Sequence, residues 1–213
     1  MQLTLHSAWR SSAAYRVRIG LNLKGLAYDT APVNLVANQH QEPAFAALNP
    51  QRLVPALEVD GRILTQSLAI LDWLDETVPE PPLLPADAFD RALARSMAQI
   101  VASDIHPVNN LRILRALGDL GVDEAARDVW IQRWITDGFT ALEAMIARHG
   151  RGFAFGDTPG LADCCLVPQV YNAERFKTDL APFPGIRAVA ARCAEHPAFV
   201  AAHPNQQPDA IHA

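Results

Sequence analysis

Over the first eighty residues, segments with the apolar pattern of a strand alternate with segments whose apolar residues have the spacing of a helix. Short apolar runs at residues 3–6 and 28–35 predict two strands. A helix-period pattern follows each run, one ending near Lys24-Gly25, with Gly25 suited to the position after a helix, and one covering residues 42–48. This part of the chain therefore predicts strands that alternate with helices.

The first predicted helix is apolar on two sides. Only a narrow polar strip remains, formed by Arg18 and Asn22. We expect this helix to be buried twice, against a sheet and against a further element.

A tight hairpin is predicted around Asp60-Gly61. The flanking residues, 56–59 and 62–65, are the candidate strands, and the Asp-Gly pair suits the turn between them. Val54-Pro55 precedes the first strand, and Gln66-Ser67 begins another helical pattern. The predicted order is β-α-β-α-β-β-α.

Four prolines between Val78 and Pro85 end this pattern, because proline cannot continue a helix. Beyond them the chain is helical by pattern, and its tail from His203 is expected to be mobile. The predicted domains are residues 1–80, a linker at 81–87 and an all-helical domain at 88–213. The predicted helices of the second domain are residues 88–117, 123–148, 161–176 and 184–194.

Composition narrows the functional classes. The chain has 213 residues, a formal net charge of −5 and 50% hydrophobic residues, and no apolar run is long enough to span a membrane. The charge argues against nucleic-acid partners. The first residues lack the pattern of a signal peptide, and three cysteines at these spacings form neither a disulfide framework nor a metal site. We expect a cytoplasmic protein without a membrane partner.

Two pairs of residues stand where a helix is predicted to begin. Ser11-Ser12 opens the first helix and Gln66-Ser67 the later one. A helix N-terminus stabilises an anion through free backbone N–H groups and the helix dipole. The alternative is that these residues only cap their helices, and Val54-Pro55 is by itself equally consistent with a simple turn.

Several motifs together resemble the zeta class of glutathione transferases, over nearly the whole chain. The serine motif and the segment beginning at Asn172 are the most specific. The motifs are Arg10-Ser11-Ser12, Tyr15-Arg16-Val17-Arg18-Ile19, Leu23-Lys24-Gly25, Ala47-Leu48-Asn49-Pro50, Val54-Pro55, Gln66-Ser67-Leu68-Ala69-Ile70, Asp104-Ile105-His106-Pro107 and Asn172-Ala173-Glu174-Arg175-Phe176-Lys177.

The resemblance implies a glutathione transferase fold, with a thioredoxin-like α/β N-terminal domain, an all-α C-terminal domain and usually a homodimer. It implies glutathione as cofactor and a small maleyl keto acid as substrate. The implied reaction converts maleylacetoacetate to fumarylacetoacetate, through reversible addition of a thiolate to the maleyl double bond. Maleylpyruvate isomerisation, general glutathione transfer and a non-catalytic interaction protein are the alternatives.

The resemblance also implies roles for individual residues. Ser11 would stabilise the thiolate, with Ser12 as a helper or a cap, and Arg10 would assist catalysis. The main chain of Val54 would pair with the cysteinyl peptide, while Gln66 and Ser67 would bind the γ-glutamyl carboxylate. Further glutathione contacts would come from His40, Asp104, His106, Asn109 and Asn110. Asp104 and His106 would reach the glutathione of either their own subunit or the dimer partner.

Three arginines would bind the carboxylates of the substrate, namely Arg10, Arg112 and Arg175. Each is also consistent with a surface or ion-pair role. Pro107 is expected to kink the helix that carries His106.

This chain departs from the family pattern in two places. Ala13 stands where many members have Cys, so no protein thiol takes part at that position. Gly160 lacks the hydroxyl of the usual Ser/Thr-x-x-Asp cap, although Asp163 can still accept from the backbone. We assign Asp163 to folding, and Cys164 and Cys165 to the core.

Overall fold

Four strands and the helices around them form the first part of the computed structural model, which describes residues 1–210. The strands are β1 (Leu3–Ser7), β2 (Asp29–Pro32), β3 (Ala56–Val59) and β4 (Arg62–Thr65). Their order in the sheet is β2-β1-β3-β4, with β1 parallel to β2 and antiparallel to β3, and β3 antiparallel to β4. The predicted order of elements is confirmed, although β2 is shorter than the predicted 28–35.

The hairpin between β3 and β4 turns at the predicted pair. Asp60 has φ 47° and Gly61 has φ 81°. Positive φ at both central residues is the requirement of a type I′ turn. The turn places Val59 opposite Arg62.

Three helices accompany this sheet: α1 (Ser12–Leu23), α2 (Pro43–Leu48) and α3 (Ser67–Thr77). Val17, Ile19 and Leu21 of α1 are all fully buried, so α1 has neighbours on more than one side. At Gly20 a Cβ atom would overlap Leu71 of α3. Glycine therefore permits the close packing of α1 on α3.

The chain divides into two compact units, and the boundary lies at Leu83–Leu84. Among the described residues, the first unit also takes in residues 195–210, while the second comprises Leu84–Ala194. The predicted helical domain ran from residue 88 to 213, so the C-terminal residues group with the sheet instead.

That C-terminal segment contains α9 (Pro197–Ala202), which periodicity did not predict. The polar strip of α1 faces it, since Arg18 donates to the carbonyl of Ala202 and Asn22 to the carbonyl of Ala198, each at 2.9 Å. The segment with α9 is therefore the further element against which α1 was expected to be buried.

The tail beyond α9 is held by hydrogen bonds, so the expectation of a mobile tail from His203 was wrong for the described residues up to 210. Gln207 is buried and donates to the carbonyls of Ala201 and His203. A 3-10 turn covers Pro204–Gln206.

The second unit is helical, and its described residues contain only one isolated bridge pair, Gly150 with Gly156. Its core includes Ile135, Phe139 and Leu142. The helices are α4 (Ala88–Gln99), α5 (Leu111–Asp119), α6 (Glu124–His149), α7 (Leu161–Arg175) and α8 (Pro184–Glu195). None of the helices within residues 1–210 combines the length and apolar character needed to cross a membrane.

The single helix predicted over 88–117 is interrupted. After α4 come a π-helical segment, Ile100–Ile105, and a 3-10 turn, Pro107–Asn109. Asn110 then caps α5 by accepting from the N–H of Arg112 at 3.1 Å. Pro107 has no N–H to donate and Asn110 offers a new cap, so the helix restarts here and does not merely kink.

Candidate functional site

Ser11 is the N-cap of α1. Its backbone is extended (φ −68°, ψ 119°), and its Oγ accepts the N–H of Ala14 at 3.3 Å. Ser11 is half-buried, whereas Ser12, the first helical residue, is buried. The cap uses a lone pair of Oγ and not its proton, so the hydroxyl can still donate to an anion at the positive end of the helix.

Arg10 lies immediately before the cap and is exposed. Its guanidinium carbon lies 5.1 Å from the centroid of the Trp9 ring. This cation–π contact orients a charged group next to Ser11.

The start of α3 forms a second polar site in the same unit. Gln66 precedes the helix with φ 68°, and Ser67 is its buried first residue. The Nη1 of Arg16 donates to Ser67 Oγ at 3.2 Å, and Arg16 is itself buried. Since Oγ accepts from Arg16, the Ser67 proton must point to another acceptor.

Sequence reasoning did not select Arg16 as a functional residue. The available signal was a charged residue in a helix with an otherwise wide apolar arc. Its partner Ser67 lies 51 residues away, so periodicity alone could not assign its role.

The loop that carries Val54 is joined to Gln66. Asn49 holds the loop, donating from Nδ2 to the Leu53 carbonyl at 2.7 Å and accepting the Gln51 N–H at 3.0 Å. Gln66 Nε2 donates to Gln51 Oε1 at 2.6 Å. The half-buried Val54 and its cis bond to Pro55 therefore lie in a loop that the start of α3 supports.

His40 also belongs to the first unit. It lies in the 3-10 turn Gln39–Gln41 and is buried. Its predicted contact with glutathione remains a prediction.

The other candidate residues belong to the second unit, on and around the interrupted helix. Asp104 is exposed in the π-helical segment and His106 is half-buried. Asn109 is buried and donates to the Ile131 carbonyl at 3.5 Å, and Asn110 is the cap of α5. The interrupted part of the helix, residues 104–110, thus contains four of the predicted glutathione contacts.

The two remaining arginines are exposed on helices of the second unit. Arg112 lies in the first turn of α5, and Arg175 is the last residue of α7, its guanidinium 5.4 Å from the centroid of the Phe176 ring. Both side chains have the exposure that an anion-binding group needs.

Asp163 has the structural role that the sequence predicted. It is fully buried in the first turn of α7 and accepts from the N–H groups of Gly160 at 2.9 Å and Ala154 at 2.8 Å. Burial raises the pKa of its carboxyl group to about 6, and the backbone hydrogen bonds act in the opposite direction.

The donors of the first unit fit an anionic thiol peptide. Two helix N-termini each carry a serine, and a buried guanidinium lies behind one of them. A carboxylate and a thiolate both require such donors. No group of three or more His, Cys, Asp or Glu side chains within the described residues is arranged to hold a metal ion.

Comparison with known proteins decides the family. Residues 10–77 match the glutathione S-transferase N-terminal domain, and residues 124–197 match the C-terminal domain. The chain is 52% identical to a maleylpyruvate isomerase of Ralstonia, over 97% of this chain and 99% of that protein. It is 49% identical to a maleylacetoacetate isomerase of Pseudomonas aeruginosa, over 97% and 98%.

Solved structures agree over the same length. A maleylpyruvate isomerase described as a bacterial glutathione S-transferase of the zeta class matches with a TM-score of 0.95 and 51% identity, covering 98% of this chain and 100% of that one. The chain belongs to the zeta class of glutathione transferases. A maleylacetoacetate isomerase of Anaeromyxobacter dehalogenans with glutathione in its active site matches with a TM-score of 0.90 and 47% identity, over 99% and 98%. The predicted thioredoxin-like and all-helical domains of this zeta-class chain are thereby confirmed.

Proposed function

We propose that this zeta-class chain isomerises maleylacetoacetate to fumarylacetoacetate with glutathione as its cofactor. The observation that carries the proposal is the identity of about half, over almost the full length, with isomerases of maleyl keto acids. When bound, glutathione would supply a thiolate for reversible addition to the maleyl double bond. The remaining chemistry belongs to the residues of this chain.

Ser11 provides the donor for the sulfur. A free thiol has a pKa of about 8.5, and a hydrogen bond from the Ser11 hydroxyl together with the dipole of α1 favours the ionised form. Ser12, buried beside it, supports the helix start. Because residue 13 is Ala, no protein thiol competes at this position.

The start of α3 provides the anchor for the glutathione carboxylate. The Ser67 hydroxyl and the backbone N–H groups of the first turn of α3 donate hydrogen bonds to it, and the Gln66 side-chain amide donates another. Arg16 supports Ser67 from the buried side. The main chain of Val54 pairs with the cysteinyl peptide of glutathione, as an added strand pairs with an edge.

The substrate carries carboxylates, and exposed arginines suit them. In our proposal Arg10, Arg112 and Arg175 bind these groups, because a guanidinium can donate two parallel hydrogen bonds to a carboxylate. His40, Asp104, His106, Asn109 and Asn110 complete the glutathione contacts. General transfer to apolar electrophiles suits such charged side chains less well.

We also propose a cytoplasmic homodimer. The three cysteines all lie within the described residues, are buried and form no disulfide there, which suits a reducing compartment. The dimer is the state expected of the family, and sedimentation of the purified protein tests it.

Maleylpyruvate is the second candidate substrate. The relative at 52% identity is a maleylpyruvate isomerase, a slightly higher identity than that of the maleylacetoacetate isomerase at 49%. Both substrates carry a maleyl unit and a carboxylate, so the same arginines serve either.

The test follows the ultraviolet absorbance of each substrate with the purified enzyme, with and without glutathione. We expect a glutathione-dependent change with maleylacetoacetate, at a higher kcat/KM than with maleylpyruvate. The reverse ranking would favour the second candidate. If neither substrate changes, the isomerase proposal is wrong, and retention on immobilised glutathione would then separate a general transferase from an interaction protein.

A further inference from the structure

The main chain of Trp9, two residues before the Ser11 cap, is held through both its N–H and its carbonyl. Its N–H donates to Asp209 Oδ2 at 3.0 Å, and its carbonyl accepts from Arg18 Nη2 at 2.9 Å. Within the loop itself, the N–H of Ser11 donates to the carbonyl of Ala8 at 3.0 Å. The loop that presents Ser11 therefore depends on two partners outside it.

Arg18 joins this loop to the C-terminal segment. The residue is fully buried; its Nε donates to the carbonyl of Ala202 at 2.9 Å and its Nη1 to Ser7 Oγ at 3.0 Å. A buried guanidinium must find acceptors for its donors, and the fixed fork of Arg sets where those acceptors lie. One side chain thus connects the end of β1, the Trp9 carbonyl and the end of α9.

Asp209 comes from the far end of the chain, 200 residues from Trp9. Its own position is set by the turn before it, because the N–H of Ala210 donates to the carbonyl of Gln207 at 3.0 Å. Gln207 is buried and bound to the carbonyls of Ala201 and His203. The carboxylate that receives the Trp9 N–H is therefore part of an anchored turn.

We propose that this C-terminal segment, residues 195–210, positions Ser11 for catalysis, with Asp209 and Arg18 as positioning residues. The inference rests on the proposed function, since Ser11 is there the donor to the thiolate. A shift of about 1 Å in a catalytic hydroxyl can lower the reaction rate by as much as about 100-fold. The segment binds the Trp9 N–H directly through Asp209, and through the Ala202 carbonyl it holds Arg18, which donates to the Trp9 carbonyl. Both contacts limit such a shift.

The test compares Asp209→Ala with Asp209→Asn, which keeps an oxygen acceptor for the Trp9 N–H. Asp209 is the better site for substitution because removal of the fully buried Arg18 would leave several carbonyl and hydroxyl acceptors unpaired. Asp179→Ala is the matched control. Asp179 also accepts one backbone N–H, that of Ala181 at 2.9 Å, but it is exposed in the second unit.

Three measurements are made on the full chain. Hydrogen exchange without glutathione reports the Trp9 amide, which we expect to exchange about tenfold faster in Asp209→Ala. The thiolate absorbance of bound glutathione against pH reports the thiol pKa, which we expect to rise in this variant. Steady-state kinetics should show kcat lowered about tenfold with little change in the KM for glutathione.

Asp209→Asn should restore most of the exchange protection and kcat, and Asp179→Ala should leave all three readouts unchanged. The inference is overturned if Asp209→Ala speeds exchange at Trp9 but leaves kcat and the thiol pKa unaltered, or if it does not affect exchange at all. A wild-type chain that isomerises neither substrate would count against the proposed function. Exchange and the thiol pKa would still decide the positioning role.

Discussion

At the scale of single residues, the Ser11 hydroxyl has a structural role as a helix cap and, in our proposal, a chemical role as well. Its oxygen caps α1 through the N–H of Ala14, while its proton remains for an anion. The two roles affect different measurable quantities, so they can be separated. Loss of the cap lowers the free energy of unfolding, whereas loss of the donor raises the barrier to reaction.

We predict that Ser11→Ala lowers kcat about 100-fold, the effect of removing one preorganised donor. The free energy of unfolding should fall by about 1 kcal/mol from the lost cap. Stopped-flow kinetics and urea unfolding measure the two effects. Affinity for glutathione should change much less than kcat, and an equal loss in both would mean that Ser11 only positions the cofactor.

Asp123→Ala is the control for the lost cap. Asp123 caps α6 by accepting the N–H of Ala126 at 2.8 Å. This variant should lose about the same stability and retain its kcat.

A second residue-scale prediction concerns the pair of Arg16 and Ser67. In the proposed site Ser67 binds the glutathione carboxylate and Arg16 donates to the Ser67 hydroxyl. Arg16→Met and Ser67→Ala should therefore each raise the Kd of glutathione by about tenfold. The double variant should be little worse than either single variant, since the two side chains form one unit. Calorimetric titration of glutathione into the four proteins completes the cycle, and fully additive losses would contradict the coupling.

The positions of Ser11 and Ser67 at helix starts could be predicted because the signals are local. A hydroxyl before an apolar-periodic run marks a cap whatever the rest of the fold does. The role of Arg16 could not be predicted in this way. Its contact spans two helices, and a buried charge is identified only when its partner is known.

At the scale of elements, α7 begins on a buried carboxylate. Asp163 replaces a missing hydroxyl cap by accepting from both Gly160 and Ala154, so one side chain fixes the start of the helix and the loop before it. Burial raises the pKa of this group to about 6 from 3.8.

The raised pKa makes a prediction about stability against pH. The folded state holds the proton of Asp163 more tightly than the unfolded state does, so the stabilisation is complete below about pH 4 and is lost as pH rises through 6. Relative to Asp163→Asn, the free energy of unfolding should fall by about 3 kcal/mol over that range. Urea unfolding between pH 4 and 7 measures the difference, and a constant difference would contradict the assignment.

The interrupted helix between α4 and α5 shows where pattern reading fails. Apolar periodicity continues through residues 100–110, so a single helix was predicted. The helix is nevertheless interrupted there. Pro107 has no backbone N–H to donate and the Asn110 side chain accepts a backbone N–H, and over a few residues these two effects outweigh the apolar periodicity.

At the scale of the whole molecule, the segment that contains α9 returns to the first unit and packs on α1. The N-terminal sheet and α1 were predicted from their own residues. The return of α9 to α1 was not, because a helix of six residues carries little periodic signal. The sequence signal for this contact was the polar strip of Arg18 and Asn22 on an otherwise apolar helix.

A buried ion pair in the first unit binds the main chain of the proline-rich linker. Lys24 Nζ lies 2.8 Å from Asp75 Oδ1 and donates to the Pro81 carbonyl at 2.7 Å, and Asp75 also accepts the Leu83 N–H. One pair thus connects α1, α3 and the start of the linker.

We predict that Lys24→Met lowers the free energy of unfolding by about 3–5 kcal/mol, because it leaves the buried Asp75 carboxylate without its counter-charge. Adding Asp75→Asn should recover part of the loss. Arg133→Met is the control, since the pair of Arg133 and Asp137 is exposed and is worth less than about 1 kcal/mol. Urea unfolding of the variants measures these differences, and a double variant as unstable as the sum of both single ones would contradict this account.

The three buried cysteines have a practical consequence for labelling chemistry. All of Cys164, Cys165 and Cys193 are buried, and burial raises the pKa of Cys164 and Cys193. With Ala13 in place of a cysteine, residues 1–210 expose no cysteine thiol to a chromogenic disulfide reagent. The reagent should count three thiols per unfolded chain and almost none in the native protein. In a native mixture its colour therefore measures glutathione alone.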